Sequence, residues 1–193
     1  MSRFICRTFT VVSSLILLAA AAPPARASFH VFGVNEVYSN PSGSVQFIEL
    51  HDRFGADFEG FFNGITITSA AHTFTFPSDL PSQQTANTFV LLGTPGYAAI
   101  PGVPAPNFTI PAGFFNPAGD TLNYGFGADI ISFGPVPASA SQSLNRSGAD
   151  MLAATASPTN FAGDTGSVPE PATLSLFAGL GTVTCLIRRP IRR

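Results

Sequence analysis

Gly64-Ile65-Thr66-Ile67-Thr68 and His72-Thr73-Phe74-Thr75-Phe76 decide the fold. In both, a large apolar side chain alternates with a threonine, and successive side chains of a strand point to opposite faces. Ile65 and Ile67 therefore share one face, as do Phe74 and Phe76, and each pair is the core side of a half-buried strand. Thr121-Leu122-Asn123-Tyr124-Gly125-Phe126 repeats the pattern and assigns Leu122, Tyr124 and Phe126 to a core face. Further runs rich in Phe, Ile, Val and Thr predict strands over 29–38, 45–51, 89–92, 129–133 and 142–146. Turn formers interrupt the chain often, as in Asn40-Pro41-Ser42-Gly43, Thr94-Pro95-Gly96 and Phe133-Gly134-Pro135, leaving no room for a long amphipathic helix. Seven or eight short strands of this kind predict an all-β, antiparallel sandwich.

The two ends of the chain read differently. Arg3 and Arg7 precede an apolar run over 11–22, and Ala25-Arg26-Ala27 stands before Ser28. A basic flank, an apolar stretch and a small-x-small site make a secretory signal peptide over 1–27, an N-terminal helix cut between Ala27 and Ser28 after delivery to the Sec machinery. A buried first helix is the alternative. At the other end, Val168-Pro169-Glu170-Pro171 leads into an uncharged run over 172–187, followed by Arg188, Arg189, Arg192 and Arg193. Sixteen helical residues reach about 24 Å, short of the roughly 30 Å hydrocarbon core, yet flanking arginines can snorkel and a bilayer can thin. The run is thus expected to form a single transmembrane helix, with the arginine cluster 188–193 on the cytoplasmic side and the preceding domain across the membrane.

Between these ends, residues 28–163 have the length of one domain, and 164–171 form a linker carrying the Val-Pro-Glu-Pro motif. Cys6 and Cys185 both lie outside the domain, so it contains no internal disulfide. From 28 to 167 there are ten acidic residues against Arg53 and Arg146, a balance of −8, and the whole chain contains no lysine. That charge lacks the basic footprint of nucleic-acid binding.

The C-terminal order of Val-Pro-Glu-Pro, hydrophobic helix and arginine cluster resembles the PEP-CTERM sorting signal of exopolysaccharide-producing Gram-negative bacteria. The resemblance implies processing near the motif by an exosortase and delivery to the cell surface or extracellular matrix. A plain C-terminal membrane anchor is the alternative, and it leaves the sidedness unchanged. The segment from Asn35 to about Gly163 resembles the lamin-tail domain, an immunoglobulin-like sandwich. Asn35-Glu36-Val37-Tyr38, Gln46-Phe47-Ile48-Glu49-Leu50, Gly64-Ile65-Thr66-Ile67, Phe89-Val90-Leu91-Leu92 and Ser143-Leu144-Asn145-Arg146 carry the likeness. Ile65 stands where that family usually has Trp, and Glu49-Leu50-His51-Asp52 replaces its usual Glu-Leu-Tyr-Asn. The resemblance implies a fold and an adhesive setting, and brings no catalytic site with it.

Residues that could carry chemistry are few. His30, His51 and His72 recur every twenty-one residues, but their neighbours differ and each falls on a separate strand or strand end, which argues against a shared metal. Glu49 with Asp52 and Asp57 with Glu59 could offer oxygen to Ca²⁺, yet no EF-hand spacing is present. The domain has no Cys, no Lys and no Gly-x-Ser-x-Gly elbow, and nothing selects a carboxylate pair for glycoside hydrolysis. No catalytic residue, metal or cofactor is therefore assigned. The proline-rich loop 94–107 reads equally as a binding loop or a stiff connector. The expectation is an exported, non-enzymatic protein of the cell envelope or extracellular matrix. Its partners are the Sec machinery, an exosortase and the membrane. An exopolysaccharide-binding module, with Tyr97, Phe114 or Phe115 as stacking residues, is the alternative, and a secreted hydrolase a distant third.

Overall fold

The computed structural model describes residues 29–139 and 141–169. The signal helix, the Ala25–Ser28 cleavage region, Glu170, Pro171, the run 172–187 and the arginine cluster lie outside the described residues.

Among the described residues, ten strands form two sheets. The first sheet contains β1 (Phe32–Ser39), β2 (Gln46–Asp52), β5 (Phe89–Gly93), β6 (Phe108–Thr109), β9 (Gln142–Ser147) and β10 (Asp150–Thr155), in the order β10-β9-β1-β2-β5-β6. The second contains β3 (Thr66–Thr68), β4 (Thr73–Thr75), β7 (Asp120–Tyr124) and β8 (Asp129–Phe133), in the order β4-β3-β7-β8. All pairings are antiparallel except the short parallel one between β5 and β6. The described residues are mostly β, and the two sheets enclose one main core as a sandwich. From the first sheet come Val34, Val37, Ile48, Leu50, Val90 and Leu92, and from the second Ile67, Leu122, Tyr124, Ile131 and Phe133.

The alternation of apolar residues and threonines survives in space. Ile67 pairs with Phe74, and Thr66 and Thr68 pair with Thr75 and Thr73 on the outer face. Loop phenylalanines finish the core: Phe62 meets Phe32, Phe76 and Tyr124 at ring centroid distances of 5.2, 5.0 and 5.9 Å.

One core assignment fails. β7 ends at Tyr124, and Gly125, Phe126 and Gly127 all take positive φ in a tight turn, which swings Phe126 out to 69% exposure. A side chain on Gly125 would come within 2.7 Å of the Phe29 ring, so the turn depends on glycine there. β1 starts at Phe32 rather than 29, because Phe29 closes a turn by accepting the Phe32 N–H and packs edge-on against Tyr124. β6 and β10 have no counterpart among the expected strands.

Asp129 ties the two sheets together. At the start of β8, its carboxylate accepts Arg53 Nη1 at 3.1 Å, Arg146 Nη1 at 2.7 Å and the Val34 N–H at 2.8 Å. Both arginines of the domain thus converge on one acid from the end of β2 and from β9.

Candidate functional site

The site grows from an irregularity in β1. The register slips between Val34 and Glu36, which brings Glu36 opposite Glu49 on the outer face of the six-stranded sheet. Directly opposed residues of antiparallel strands hold their Cβ atoms about 5 Å apart, so two carboxyl groups are forced together. Neither is solvated: Glu36 is 0% exposed and Glu49 1%.

Residues 156–169 cover them as a strap. Glu36 accepts Ser143 Oγ at 2.6 Å, the Ser157 N–H at 2.9 Å and Ser157 Oγ at 3.2 Å. Glu49 accepts Asn35 Nδ2 at 2.7 Å and the Thr159 N–H at 2.6 Å. Burial raises both carboxyls above their ordinary range. For Glu49, the Asn35 bond lowers the value and the charge of Glu36 raises it again, and the net effect carries it up to about 8. For Glu36 the Ser143 and Ser157 bonds counter the burial only in part. Near neutral pH the Glu49 carboxyl therefore keeps its proton, which relieves the like-charge repulsion.

Beyond Thr159 the strap folds on itself through Asn160, whose Oδ1 accepts the Ala162 and Asp164 N–H groups. Thr159 bridges to Thr165, and the Gly166 N–H reaches the Pro158 carbonyl. The strap ends with Val168, 4% exposed, in a second apolar cluster with Tyr38, Phe47, Leu91 and Tyr97. The first residue of the Val-Pro-Glu-Pro motif is thus packed into the domain, and 164–169 continue the folded body.

The proline-rich loop is the strap's other wall. Thr94 caps the one-turn helix α1 (Pro95–Ala98) and carries Tyr97 onto Phe47, with ring centroids 5.3 Å apart. Asn107 Oδ1 accepts both the Leu91 and the Phe161 N–H, Asn160 Nδ2 donates to the Ala105 carbonyl, and Gly166 sits against Pro104 with no room for a side chain.

Between strap and sheet runs an open-sided groove of about 630 Å³. Asn35 and Glu49 line it from β1 and β2, Thr88 and Phe89 from the start of β5, and Thr159 and Phe161 from the strap. Phe89 is stacked on His51 across the strand pair, with centroids 4.4 Å apart and planes 22° apart.

Several expected sites are rearranged. Tyr97, Phe114 and Phe115 are 0, 0 and 1% exposed, so none can stack on a ligand. Tyr97 and Phe115 serve the two apolar clusters, and Phe114 closes the main core beneath the His72 ring. Asp52, a proposed calcium ligand with Glu49, is consumed by the N–H groups of Phe54, Gly55, Ala56 and Asn87. His30, His51 and His72 sit apart, and no group of three or more metal-ligating side chains occurs among the described residues. No helix among the described residues is long and apolar enough to cross a membrane, and 172–187 lie outside them. The groove itself was hidden from sequence reasoning, since Asn35 and Phe161 lie 126 positions apart and only the fold of the strap joins them. Compared with family models, curated proteins and solved structures, the chain matches none.

Proposed function

We propose that this chain is an exported, surface-sorted, non-enzymatic protein of the cell envelope or extracellular matrix of a Gram-negative bacterium. A signal peptide directs export with cleavage before Ser28, the run 172–187 arrests the chain in the membrane, and an exosortase processes it at Val168-Pro169-Glu170-Pro171. The finer fold assignment, an immunoglobulin-like sandwich of the lamin-tail type, is part of this reading. It draws support from the strand runs around Asn35, Gln46, Gly64, Phe89 and Ser143.

One observation carries the reading. The strap leads the sandwich without a gap to Val168, which packs among Tyr38, Phe47, Leu91 and Tyr97, so the first residue of the motif is held against the cargo domain. A protein whose only business at its C-terminus is sorting gains from this, because the cargo domain stays closed while the motif beyond Val168 enters the membrane-proximal machinery. The perturbed carboxyls point away from catalysis as well: Glu36 and Glu49 spend their oxygens on holding the strap.

Intact-mass spectrometry of the protein released from the cell surface tests the proposal. The expected form begins at Ser28 and lacks Arg188 to Arg193. A surface form that still ends in Arg193 would refute processing.

A further inference from the structure

The groove beneath the strap has an unusual chemical balance for a domain of charge −8. Apart from Glu49, its polar lining comes from uncharged side chains, among them Asn35, Thr88, Ser157 and Thr159, whose oxygens can still accept although each donates one hydrogen bond within the fold. Neither arginine among the described residues lines it: Arg53 and Arg146 are both bound to Asp129. An anionic ligand would therefore find no counter-charge. The only carboxyl in the lining, Glu49, already accepts from Asn35 and Thr159, so a bare cation finds no open oxygen pair. What is left to a ligand is neutral hydrogen bonding and aromatic surface.

The aromatic surface is suitably held. Phe89 is half-buried and backed by His51 in a near-parallel stack, and Phe161 faces the groove from the strap while packing against the main core. Amides and hydroxyls beside a fixed aromatic plane form the recognition set for polyhydroxylated rings, whose C–H faces stack while their hydroxyls exchange hydrogen bonds. The volume falls within the roughly 300–1,000 Å³ that holds a drug-sized ligand, and the groove is open to solvent. We infer that the groove between the strap and the outer face of β1, β2 and β5 binds a short run of a neutral saccharide. This deepens the proposed surface role by giving the exported domain a ligand class.

Saturation-transfer NMR on the full-length protein, held in a zwitterionic detergent without a sugar headgroup, tests it with four probes. Maltotriose, cellotriose and mannotriose are the neutral ones, and trigalacturonate is the anionic comparator. Saturation is expected to pass to at least one neutral trisaccharide and not to trigalacturonate. Phe89→Ala removes the stacking plane, and Ala162→Arg fills the groove from an exposed position on the strap without touching the core. Each is expected to weaken the neutral ligand at least tenfold, while Thr75→Ala on the opposite sheet leaves it unchanged. Should Phe89→Ala unfold, Ala162→Arg decides alone. The inference is overturned by an absence of transfer to all three neutral probes, by equal transfer to trigalacturonate, or by neutral binding that Ala162→Arg does not alter. Failure here is separable from failure of the sorting proposal: a processed surface form without saccharide binding rejects only the groove, and a binding-competent protein still ending in Arg193 rejects only the processing.

Discussion

Asp129 shows how few charges organise this domain. Two arginines and a backbone N–H converge on a carboxylate whose side chain is 4% exposed, and Arg146 also donates to the Val34 carbonyl at 3.0 Å. A buried ion cluster adds little over a well-packed apolar one, but breaking it leaves uncompensated charge, which costs about 3–5 kcal/mol. Arg53 is 29% exposed and can turn to water, so the lower end of that range applies. Asp129→Asn is expected to destabilise the domain by about 3 kcal/mol in urea melts. A loss below about 0.5 kcal/mol, the size of an exposed pair, would mean that the cluster does not clamp the sheets. Nothing in the local sequence announces this role. Asp129 reads as the first residue of a strand, and its partners lie 76 and 17 positions away.

At the scale of elements, strands that follow the alternation rule were legible, and those that break it were not. β8 spans the expected 129–133, and β2, β5 and β9 match their expectations to within a residue or so. β10 escaped because Asp150-Met151-Leu152-Ala153-Ala154-Thr155 is a largely exposed edge with two alanines, hydrogen-bonded to β9 and reaching the core only through Met151. The strap escaped for a deeper reason: its order comes from side-chain bonds to Glu36 and Glu49, which no periodicity encodes. The burial of those two carboxyls, which their hydrogen bonds only partly offset, predicts a pH dependence. In the unfolded chain a glutamate releases its proton near 4.5, whereas folded Glu49 keeps it to about 8 and Glu36 is shifted the same way. Over that interval the folded state binds more protons than the unfolded one. Stability is therefore full below about pH 4.5, falls as pH rises, by at most about 1.4 kcal/mol per unit for each group, and levels off above about 8. Groups facing Glu49 include Glu36, Asn35 and the Thr159 amide, and a neutral amide in place of the acid keeps an acceptor for them. Glu49→Gln is thus expected to flatten much of the slope between pH 5 and 8 in chemical denaturation. An unchanged slope would place the raised carboxyl elsewhere.

For the whole molecule, composition predicted an acidic domain without cysteines and strand alternation an all-β sandwich, while the packing of 164–169 onto it comes from contacts that composition cannot show. Residues 164–169 look like linker because they hold Thr, Gly, Ser and Pro and no strand pattern. In space they supply the Thr159–Thr165 bridge, the Gly166 contact with Pro104 and the burial of Val168 among Tyr38, Phe47, Leu91 and Tyr97. Burying a valine is worth about 1.5–3 kcal/mol, and for a domain of this size each kcal/mol shifts the melting temperature by about 3 °C. A chain running from Ser28 to Pro169 is therefore expected to melt about 5 °C or more above one ending at Gly163, measured by circular dichroism in the same buffer. The shorter chain should also expose the Phe47 and Tyr97 cluster and bind a hydrophobic dye. Equal melting temperatures with no dye binding would show that the domain closes without Val168. In that event residues 164–169 would be passengers on the outer face, contributing nothing to the stability of the sandwich.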